Sequence, residues 1–153
     1  MAISPNDTFT SGQILTAVEC NQFPFGVVAL STLTSNTTVN TTEQTRTSVT
    51  WTALANRYYK ITWYEGTVLN GVNASLNNMY LRATTTAGTI IANSLIYIAA
   101  SEQNVAICSV VKTFSAGSQT VYARVLSNAA TDTTYTASAT QPAYVLVEDI
   151  GPA

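Results

Sequence analysis

The feature that most constrains the fold of this sequence is an alternation of apolar and polar residues with a period of two, which begins after Gly26. In residues 45–55, for example, Val49, Trp51 and Ala53 alternate with threonine and other polar residues. Strict alternation over segments this short is typical of strands that bury one face of an antiparallel sheet. The pattern therefore predicts an all-β chain in which each strand turns one side toward a core.

Strand-like segments follow one another at short intervals along the rest of the chain. Besides 45–55 they are residues 26–33, 57–64, 79–84, 89–98, 105–111, 120–125 and 143–148. Residues 105–111 are apolar on both faces, which predicts a central strand. Turn signals separate the segments: Glu65-Gly66, Asn70-Gly71, Asn77-Asn78, Ala87-Gly88 and Ala116-Gly117. About eight or nine short strands predict an antiparallel jelly roll or β-sandwich over residues 26–153.

Residues 1–25 lack this alternation, and we predict an extended arm that contains one short helix. Thr16 and Glu19 have the spacing of a capping box, and Pro24 disfavours helical geometry at the residue before it. The arm offers apolar side chains to a partner surface: Phe9, Ile14, Leu15, Val18, Phe23 and Phe25. The alternative is a strand-and-helix plug that packs under its own jelly roll. The first basic residue is Arg46, which argues against a secretory signal, and no apolar run has the length of a membrane span.

The composition is typical of a protein that functions as a subunit of an assembly. Charged residues make up only 9% of the chain, so its polar surface consists mainly of neutral hydroxyl and amide groups. On several predicted strands the face opposite the core carries large side chains where a monomer would carry charge: Tyr58, Tyr64, Tyr80, Tyr122, Tyr144 and Leu146. Tyrosine is enriched at protein interfaces, so we predict that these residues form an oligomer interface. The alternative is that they are scattered surface residues without a common role.

Chemical motifs are missing, and we expect neither an enzyme nor a cofactor or metal site. The chain has no His, no glycine-rich phosphate loop and no basic patch for a nucleic acid. The adjacent acids Glu148 and Asp149 would point to opposite faces of a strand, so we interpret them as a solvated strand end. Cys20 and Cys108 are expected to be two small buried side chains, with a disulfide bridge as the alternative.

The two ends of the sequence resemble a known group of proteins. The opening NDTFTSGQILTA (residues 6–17), followed by Asn21 and by PFG (residues 24–26), resembles the start of small virion structural proteins of tailed bacteriophages. The closing VEDIGP (residues 147–152) resembles the end of the same group. In the middle, YKITWYE (residues 59–65) and FSAGSQTV (residues 114–121) are similar to segments of C1q/TNF-like jelly rolls.

This resemblance implies a homotrimeric jelly roll displayed on a virion, without catalytic residues. We expect a capsid decoration (cement) protein whose arm lies on the major capsid protein. The alternative is a tail or tail-fibre component that docks on a tail protein and binds a receptor through residues 65–78 and 127–141. A glycan-cleaving depolymerase ranks last, because it would need a suitably spaced pair of carboxylates.

Overall fold

The structure, a computed structural model, describes residues 17–21, 23–128 and 133–153. Within these residues, one helical turn precedes ten strands. In chain order the elements are α1 (Ala17–Cys20), β1 (Gly26–Leu33), β2 (Thr37–Val39), β3 (Gln44–Ala53), β4 (Arg57–Asn70), β5 (Ser75–Ala83), β6 (Ile90–Ile98), β7 (Gln103–Thr113), β8 (Gly117–Ser127), β9 (Thr133–Thr136) and β10 (Ala143–Pro152). The short helix lies where the capping-box spacing predicts it.

Two antiparallel sheets pack face to face. The front sheet has the order β1-β10-β4-β7, and β9 and β2 extend it beside the second half of β4. The back sheet has the order β3-β8-β5-β6. Sequence neighbours such as β3 and β4, or β6 and β7, lie in different sheets, which is the connectivity of a jelly roll. The predicted all-β, antiparallel jelly-roll fold is confirmed.

The core lies between the sheets and is built from alternate positions of each strand. On β4, Tyr59, Ile61 and Trp63 point inward and are almost completely buried, while the residues between them point outward. The ring of Phe114 packs edge-on against that of Trp51, with the ring centroids 5.0 Å apart. Burial of a large apolar side chain contributes about 1.5–3 kcal/mol, so these inward positions fix the register of the strands.

The prediction of a central strand at residues 105–111 is wrong, because β7 lies at an edge of the front sheet. Among the described strands, β7 pairs with β4 alone. Its inward residues Ala106 and Cys108 are buried, whereas Ile107 and Val111 on the outer side are each 53% exposed. Apolar residues on both faces of this segment therefore do not identify a central strand. The outward-facing members, such as Ile107 and Val111, form a row of exposed apolar side chains on the outer face of the sheet.

Two predicted turns lie within strands. Glu65-Gly66 is part of β4, where the pairing with β7 shifts register between Glu65 and Val68. A β-bulge of this kind tolerates residues that otherwise favour turns. Asn77-Asn78 lies in β5, where Asn77 is fully buried and its amide nitrogen donates a hydrogen bond of 2.9 Å to Ser75 Oγ. A hydrogen-bonded partner thus overrides the turn preference of asparagine.

Strand β4 runs the length of the sandwich and defines its two ends. We call the end at Arg57 the root end, because the N-terminal segment joins the sandwich there. We call the end at Asn70 the closed end, because hydrogen bonds between the sheets close it. The 14 residues of β4 place the two ends roughly 40 Å apart at the usual rise per residue of a strand.

Candidate interaction surfaces

A buried arginine holds the N-terminal segment at the root end. Arg57 donates to both carboxylate oxygens of Asp149, from Nε at 2.5 Å and from Nη2 at 2.6 Å. The same guanidinium donates to the backbone carbonyls of Asn21 and Phe23, each at 2.6 Å. It also lies 4.0 Å above the centroid of the Phe25 ring. We call Arg57, Asp149 and the three residues that they hold the Arg57 clamp.

The Arg57 clamp fixes the path along which the N-terminal segment leaves the sandwich. Arg57 and Asp149 are 5% and 1% exposed, and a buried guanidinium needs several hydrogen-bond acceptors to offset the loss of hydration. The two backbone carbonyls supply acceptors that the carboxylate does not. The interpretation of Glu148 and Asp149 as a solvated strand end is wrong for Asp149, although the two do point to opposite faces.

The residues predicted to form a binding arm are described only in part. Phe9, Ile14 and Leu15, and the side chain of Val18, lie outside the described residues. Phe23 and Phe25 are exposed, with Phe25 at 49% although one face of its ring covers Arg57. The base of the arm is therefore bound to its own sandwich, and both phenylalanines keep surface that a partner could contact.

The two cysteines do not form a disulfide bridge, so the bridged alternative is wrong. Cys108 is buried on the inner side of β7, and burial raises the pKa of its thiol to about 11. Cys20, at the end of α1, is exposed instead of buried as expected. The chain thus carries one accessible and one protected thiol among its described residues.

The six residues predicted to form an oligomer interface lie on two opposite faces. Tyr58, Tyr64, Tyr144 and Leu146 are on the outer face of the front sheet, whereas Tyr80 and Tyr122 are on the outer face of the back sheet. All six are half-buried. Patches on opposite faces of one sandwich would direct neighbours along a line, whereas a closed ring of three needs patches that meet around one axis.

The outer face of the front sheet is largely apolar. One row across the strands holds Leu30 beside Leu146, and Leu30 is 58% exposed. The next row places Tyr144 beside Tyr64, and the row continues to Ile107. The rings of Tyr64 and Tyr144 stack with centroids 5.2 Å apart and planes inclined by 23°. An exposed apolar surface of this kind is typical of an interaction site.

The row next to Leu146 contains a pair of charged residues. Lys60 and Glu148 are cross-strand neighbours, and their charged atoms lie 3.7 Å apart. Because the two charges oppose each other, the outer face of the front sheet presents no net charge from this row. It is thus suited to a partner surface that is itself apolar and weakly charged.

The outer face of the back sheet differs, because it carries a cluster of three charges. Glu43 accepts hydrogen bonds from Arg82 Nε at 2.7 Å and from Arg124 Nε at 2.9 Å. The hydrogen bond from Arg82, aided by that from Arg124, holds the pKa of Glu43 below its ordinary value. Tyr80 lies beside Arg82, with the guanidinium 5.5 Å from the ring centroid. Its tyrosines therefore have charged neighbours, whereas Tyr64 and Tyr144 of the front sheet pair with each other and with Ile107.

A cleft opens beside the stacked tyrosines, toward the closed end. It consists of two hollows of about 480 and 280 Å³, which share Thr67 and Gln141 in their walls. The larger is lined by Tyr64, Gly66, Thr67, Thr140, Gln141, Pro142 and Tyr144, and the smaller by Asn36, Thr67, Thr136, Ala137, Ser138 and Gln141. We call the two hollows together the tyrosine cleft. It forms where residues 65–78 and 127–141, the predicted receptor-binding regions, meet through the pairing of β4 with β9.

A second set of buried polar side chains ties the sheets together at the closed end. Thr133 Oγ1 donates to Asn70 Oδ1 at 2.7 Å, and Ser75 Oγ donates to the same oxygen at 2.9 Å. Ser127 Oγ lies 3.1 Å from Thr133 Oγ1, and Asn77 completes the set through Ser75. We call these five residues the neutral network. It joins β4 and β9 of the front sheet to β5 and β8 of the back sheet.

A fully buried ion pair also joins the sheets. Arg46 of β3 and Glu65 of β4 are 3.0 Å apart, and Trp63 Nε1 donates to Glu65 Oε1 at 2.9 Å. Burial raises the pKa of Glu65 in spite of this cation. Arg46 Nη1 also donates to the backbone carbonyl of Ser35 and to Thr37 Oγ1, each at 2.7 Å. This pair therefore holds the connection between β1 and β2 in place.

Two other kinds of site are absent from the described part of the chain. Within residues 17–21, 23–128 and 133–153, no group of three or more acidic or cysteine side chains is arranged to hold a metal ion. Over the same part of the chain, no helix has the length and apolar character needed to cross a membrane.

The Arg57 clamp and the tyrosine cleft were not predicted from the sequence. A lone arginine at the start of a strand and one acid near the chain end give no local pattern, because the two lie 92 positions apart. The cleft offered a partial signal, since both of its regions are rich in asparagine and threonine.

Comparisons with known proteins support the fold. No protein-family model and no curated protein sequence matches the chain. A chain in the structure of infectious bursal disease virus, Gx strain, matches 80% of this chain with a TM-score of 0.51 and 11% identity, and this chain spans 33% of its length. The CBM22-1 xylan-binding domain of Xyn10C from Paenibacillus barcinonensis matches with a TM-score of 0.38 and 12% identity, over 87% of this chain and 92% of that domain. At 11% identity, the first match shows a shared β-sandwich fold and nothing further. The TM-score of the second match is too low to support a conclusion.

Proposed function

We propose that this chain is a non-enzymatic structural protein of a bacteriophage virion, namely a homotrimeric capsid decoration protein on the outer capsid surface. The observation that carries the proposal is the Arg57 clamp, which anchors the base of an N-terminal segment to one end of a compact sandwich. The fold likeness to a chain of a virus structure and the resemblance of both chain ends to phage virion proteins support it.

The clamp makes the N-terminal segment suitable for attachment. A partner bound to residues 1–16 would be connected to the sandwich through the buried Arg57–Asp149 ion pair, because Arg57 holds the backbone of Asn21 and Phe23. Sixteen residues can span at most about 50 Å, enough to cross a neighbouring protein surface. Phe9, Ile14 and Leu15 would then fill apolar pockets of the major capsid protein, and three linked arms would bind with avidity.

The outer face of the front sheet would form the trimer interface. Four of the six predicted interface residues lie on this face, where Leu146 of the central strand β10 pairs with the exposed Leu30 of the edge strand β1. Tyr80 and Tyr122 lie beside charges and would stay outside the interface. Tyr64 and Tyr144 would form the rim of the interface, next to the tyrosine cleft.

The attachment proposal is tested by co-sedimentation with virus particles that lack the protein. Deletion of residues 1–16, or replacement of Phe9, Ile14 and Leu15 by serine in the full chain, should abolish binding while the clamp and the fold remain. The matched control is Val72→Ser, which changes an exposed apolar residue of the body. Undiminished binding of both arm variants would contradict the proposal that residues 1–16 attach the protein to the capsid.

Cys20 provides a second measurement of attachment. In the free protein a maleimide should label Cys20 and spare the buried Cys108, so that one thiol per chain reacts. Contact of the α1 region with a capsid should slow the labelling of Cys20. Equal labelling rates with and without capsids would place the contact elsewhere.

The trimer is tested by light scattering on the purified chain. We expect a mass of three times 16.3 kDa, and dissociation on Leu146→Glu. Leu126→Glu is the matched control, because Leu126 is also half-buried on the outer side of a central strand but belongs to the back sheet. A monomeric wild-type chain would contradict the trimer.

A tail or tail-fibre component with a receptor-binding tip is the second candidate. The tyrosine cleft favours it, because recognition sites are often built where loops meet on a rigid scaffold. Quantitative mass spectrometry of purified particles separates the two candidates. A copy number in the hundreds supports capsid decoration, whereas a few copies per particle support a tail position.

A further inference from the structure

The tyrosine cleft combines features that together select a class of ligand. Its walls carry no charged side chain among the described residues that line the two hollows. Phosphate, carboxylate or sulfate groups would therefore find no cation there, and a ligand cation would find no carboxylate. The ligand that fits is electrically neutral.

The polar groups of the cleft are hydroxyls and amides. Gln141 and Asn36 contribute amide side chains, and Thr67, Thr140 and Ser138 contribute hydroxyls. Asn36 Oδ1 already accepts a hydrogen bond of 3.0 Å from the backbone of Ala137, which fixes the orientation of its amide. A purely apolar ligand would strip water from these groups without replacing its hydrogen bonds, and this would oppose binding. The ligand must therefore offer several neutral hydrogen-bonding groups, which hydroxyl groups can supply.

The remaining walls are flat and apolar. The rings of Tyr64 and Tyr144 stack on each other at one side, and Pro142 adds an aliphatic ring. The tip of the Tyr64 ring lies over Gly66, where a Cβ would come within 3.4 Å of the phenolic oxygen. Aromatic faces attract the weakly positive C–H groups of a saturated ring.

The loop that carries half of the cleft is ordered by its own hydrogen bonds. Ser138 N donates to Gln141 O at 3.0 Å, and Gln141 N donates to Ser138 Oγ at 3.1 Å. A loop held in this way loses little conformational entropy when a ligand binds. The two hollows together also have the volume of an ordinary small-molecule site.

We propose that the tyrosine cleft is a binding site for a neutral glycan, with the face of one sugar ring against Tyr144 and its hydroxyls hydrogen-bonded to Gln141 and Asn36. The site lies toward the closed end and away from the Arg57 clamp, so a glycan and an N-terminal partner can bind at the same time. The assignment depends on the cleft alone and not on a capsid or tail location.

Saturation-transfer difference NMR on the purified full chain tests the proposal. The probes are the neutral trisaccharides maltotriose, cellotriose, N,N′,N″-triacetylchitotriose and mannotriose, with the anionic 3′-sialyllactose as a comparison. We expect transfer to the ring C–H protons of at least one neutral trisaccharide. No transfer to any neutral probe, or transfer to sialyllactose alone, would overturn the assignment.

Variants locate the binding. Loss of a ring contact should weaken the affinity about tenfold, so Tyr144→Ala is expected to raise the Kd by that factor. Gln141→Ala, in an exposed loop, removes a hydrogen bond without disturbing the sheet. Tyr122→Ala, on the back sheet, is the matched control and should bind as the wild-type chain does. If Tyr144→Ala and Gln141→Ala both bind as wild type, the site is not the tyrosine cleft. The outcome is independent of virion attachment, because no particle is present.

Discussion

The root end and the closed end of the sandwich are both filled by buried polar groups, but of different kinds. At the root end an arginine and an aspartate carry full charges and hold backbone carbonyls of the N-terminal segment. At the closed end five neutral side chains hydrogen-bond to one another across the two sheets. The same task, joining parts of the chain that no β-ladder joins, is thus done with different chemistry.

The difference follows from what has to be held. Side chains on facing strands stand at fixed positions, so short hydroxyl and amide groups can reach each other. A segment outside the sheets offers backbone carbonyls at irregular positions, and the long, five-donor guanidinium can reach two of them at once. Arg46 repeats this arrangement, since it pairs with Glu65 and also holds the carbonyl of Ser35.

The largest expected effect comes from breaking the Arg57 clamp. Asp149→Asn leaves the buried Arg57 guanidinium without its counter-charge, and we expect the free energy of unfolding in urea to fall by about 3–5 kcal/mol. Limited proteolysis should then cut near Asn21 and Phe23 before the sandwich unfolds. Glu148→Gln is the matched control, because its pair with Lys60 is exposed and should contribute at most about 1 kcal/mol. Equal effects of the two variants would show that burial does not distinguish them.

A smaller effect is expected at the closed end. Thr133→Val keeps the shape of the side chain but leaves Asn70 Oδ1 with one donor fewer, so we expect a loss of about 1–3 kcal/mol of unfolding free energy. Thr134→Val, one residue along on the outer side of β9, controls for the change in strand preference. A loss at Thr133 as large as that for Asp149→Asn would contradict the contrast between charged and neutral ends.

The smallest effect tests charge at the surface. The pKa of Glu43 is held below its ordinary value of 4.5, so its ion pairs stabilise the folded state above that pH and the contribution disappears as the pH falls through the lowered pKa. Glu43→Gln should therefore cost up to about 1 kcal/mol at pH 7 and nothing in strong acid, where Glu43 is protonated in both states. Unfolding free energies measured from pH 7 downward should converge for the two proteins. A constant difference over this range would exclude an ionic contribution.

The fold could be predicted because alternation is a local signal. The inward residues of β4 and β8 follow a period of two, and each strand reveals its buried face within a few positions. The position of β7 could not be predicted in this way. An apolar outer face has the same sequence pattern whether it packs against another layer, binds a partner protein or faces solvent. Ile107 and Val111 therefore gave no indication that β7 lies at an edge of the sheet.

The candidate surfaces could be predicted only in part, because they depend on which strands become neighbours. Tyr64 and Tyr144 each had the signature of an outward residue, but their stacking depends on the pairing of β4 with β10, 80 residues apart in sequence. The split of the six predicted interface residues between opposite faces has the same origin. Asp149 was misjudged because its partner Arg57 belongs to a strand far from it in sequence.

The Arg57 clamp also has a consequence for the order in which the molecule folds. Its hydrogen bonds join residues 92 positions apart, and Asp149 lies in the last strand of the chain. Contacts of such long range form slowly, because the entropy of closing a large loop must be overcome first. During synthesis the N-terminal segment leaves the ribosome long before Asp149 does. It therefore acquires its fixed exit path only when β10 has joined the front sheet, so that the segment can be correctly placed only on a sandwich that is already complete.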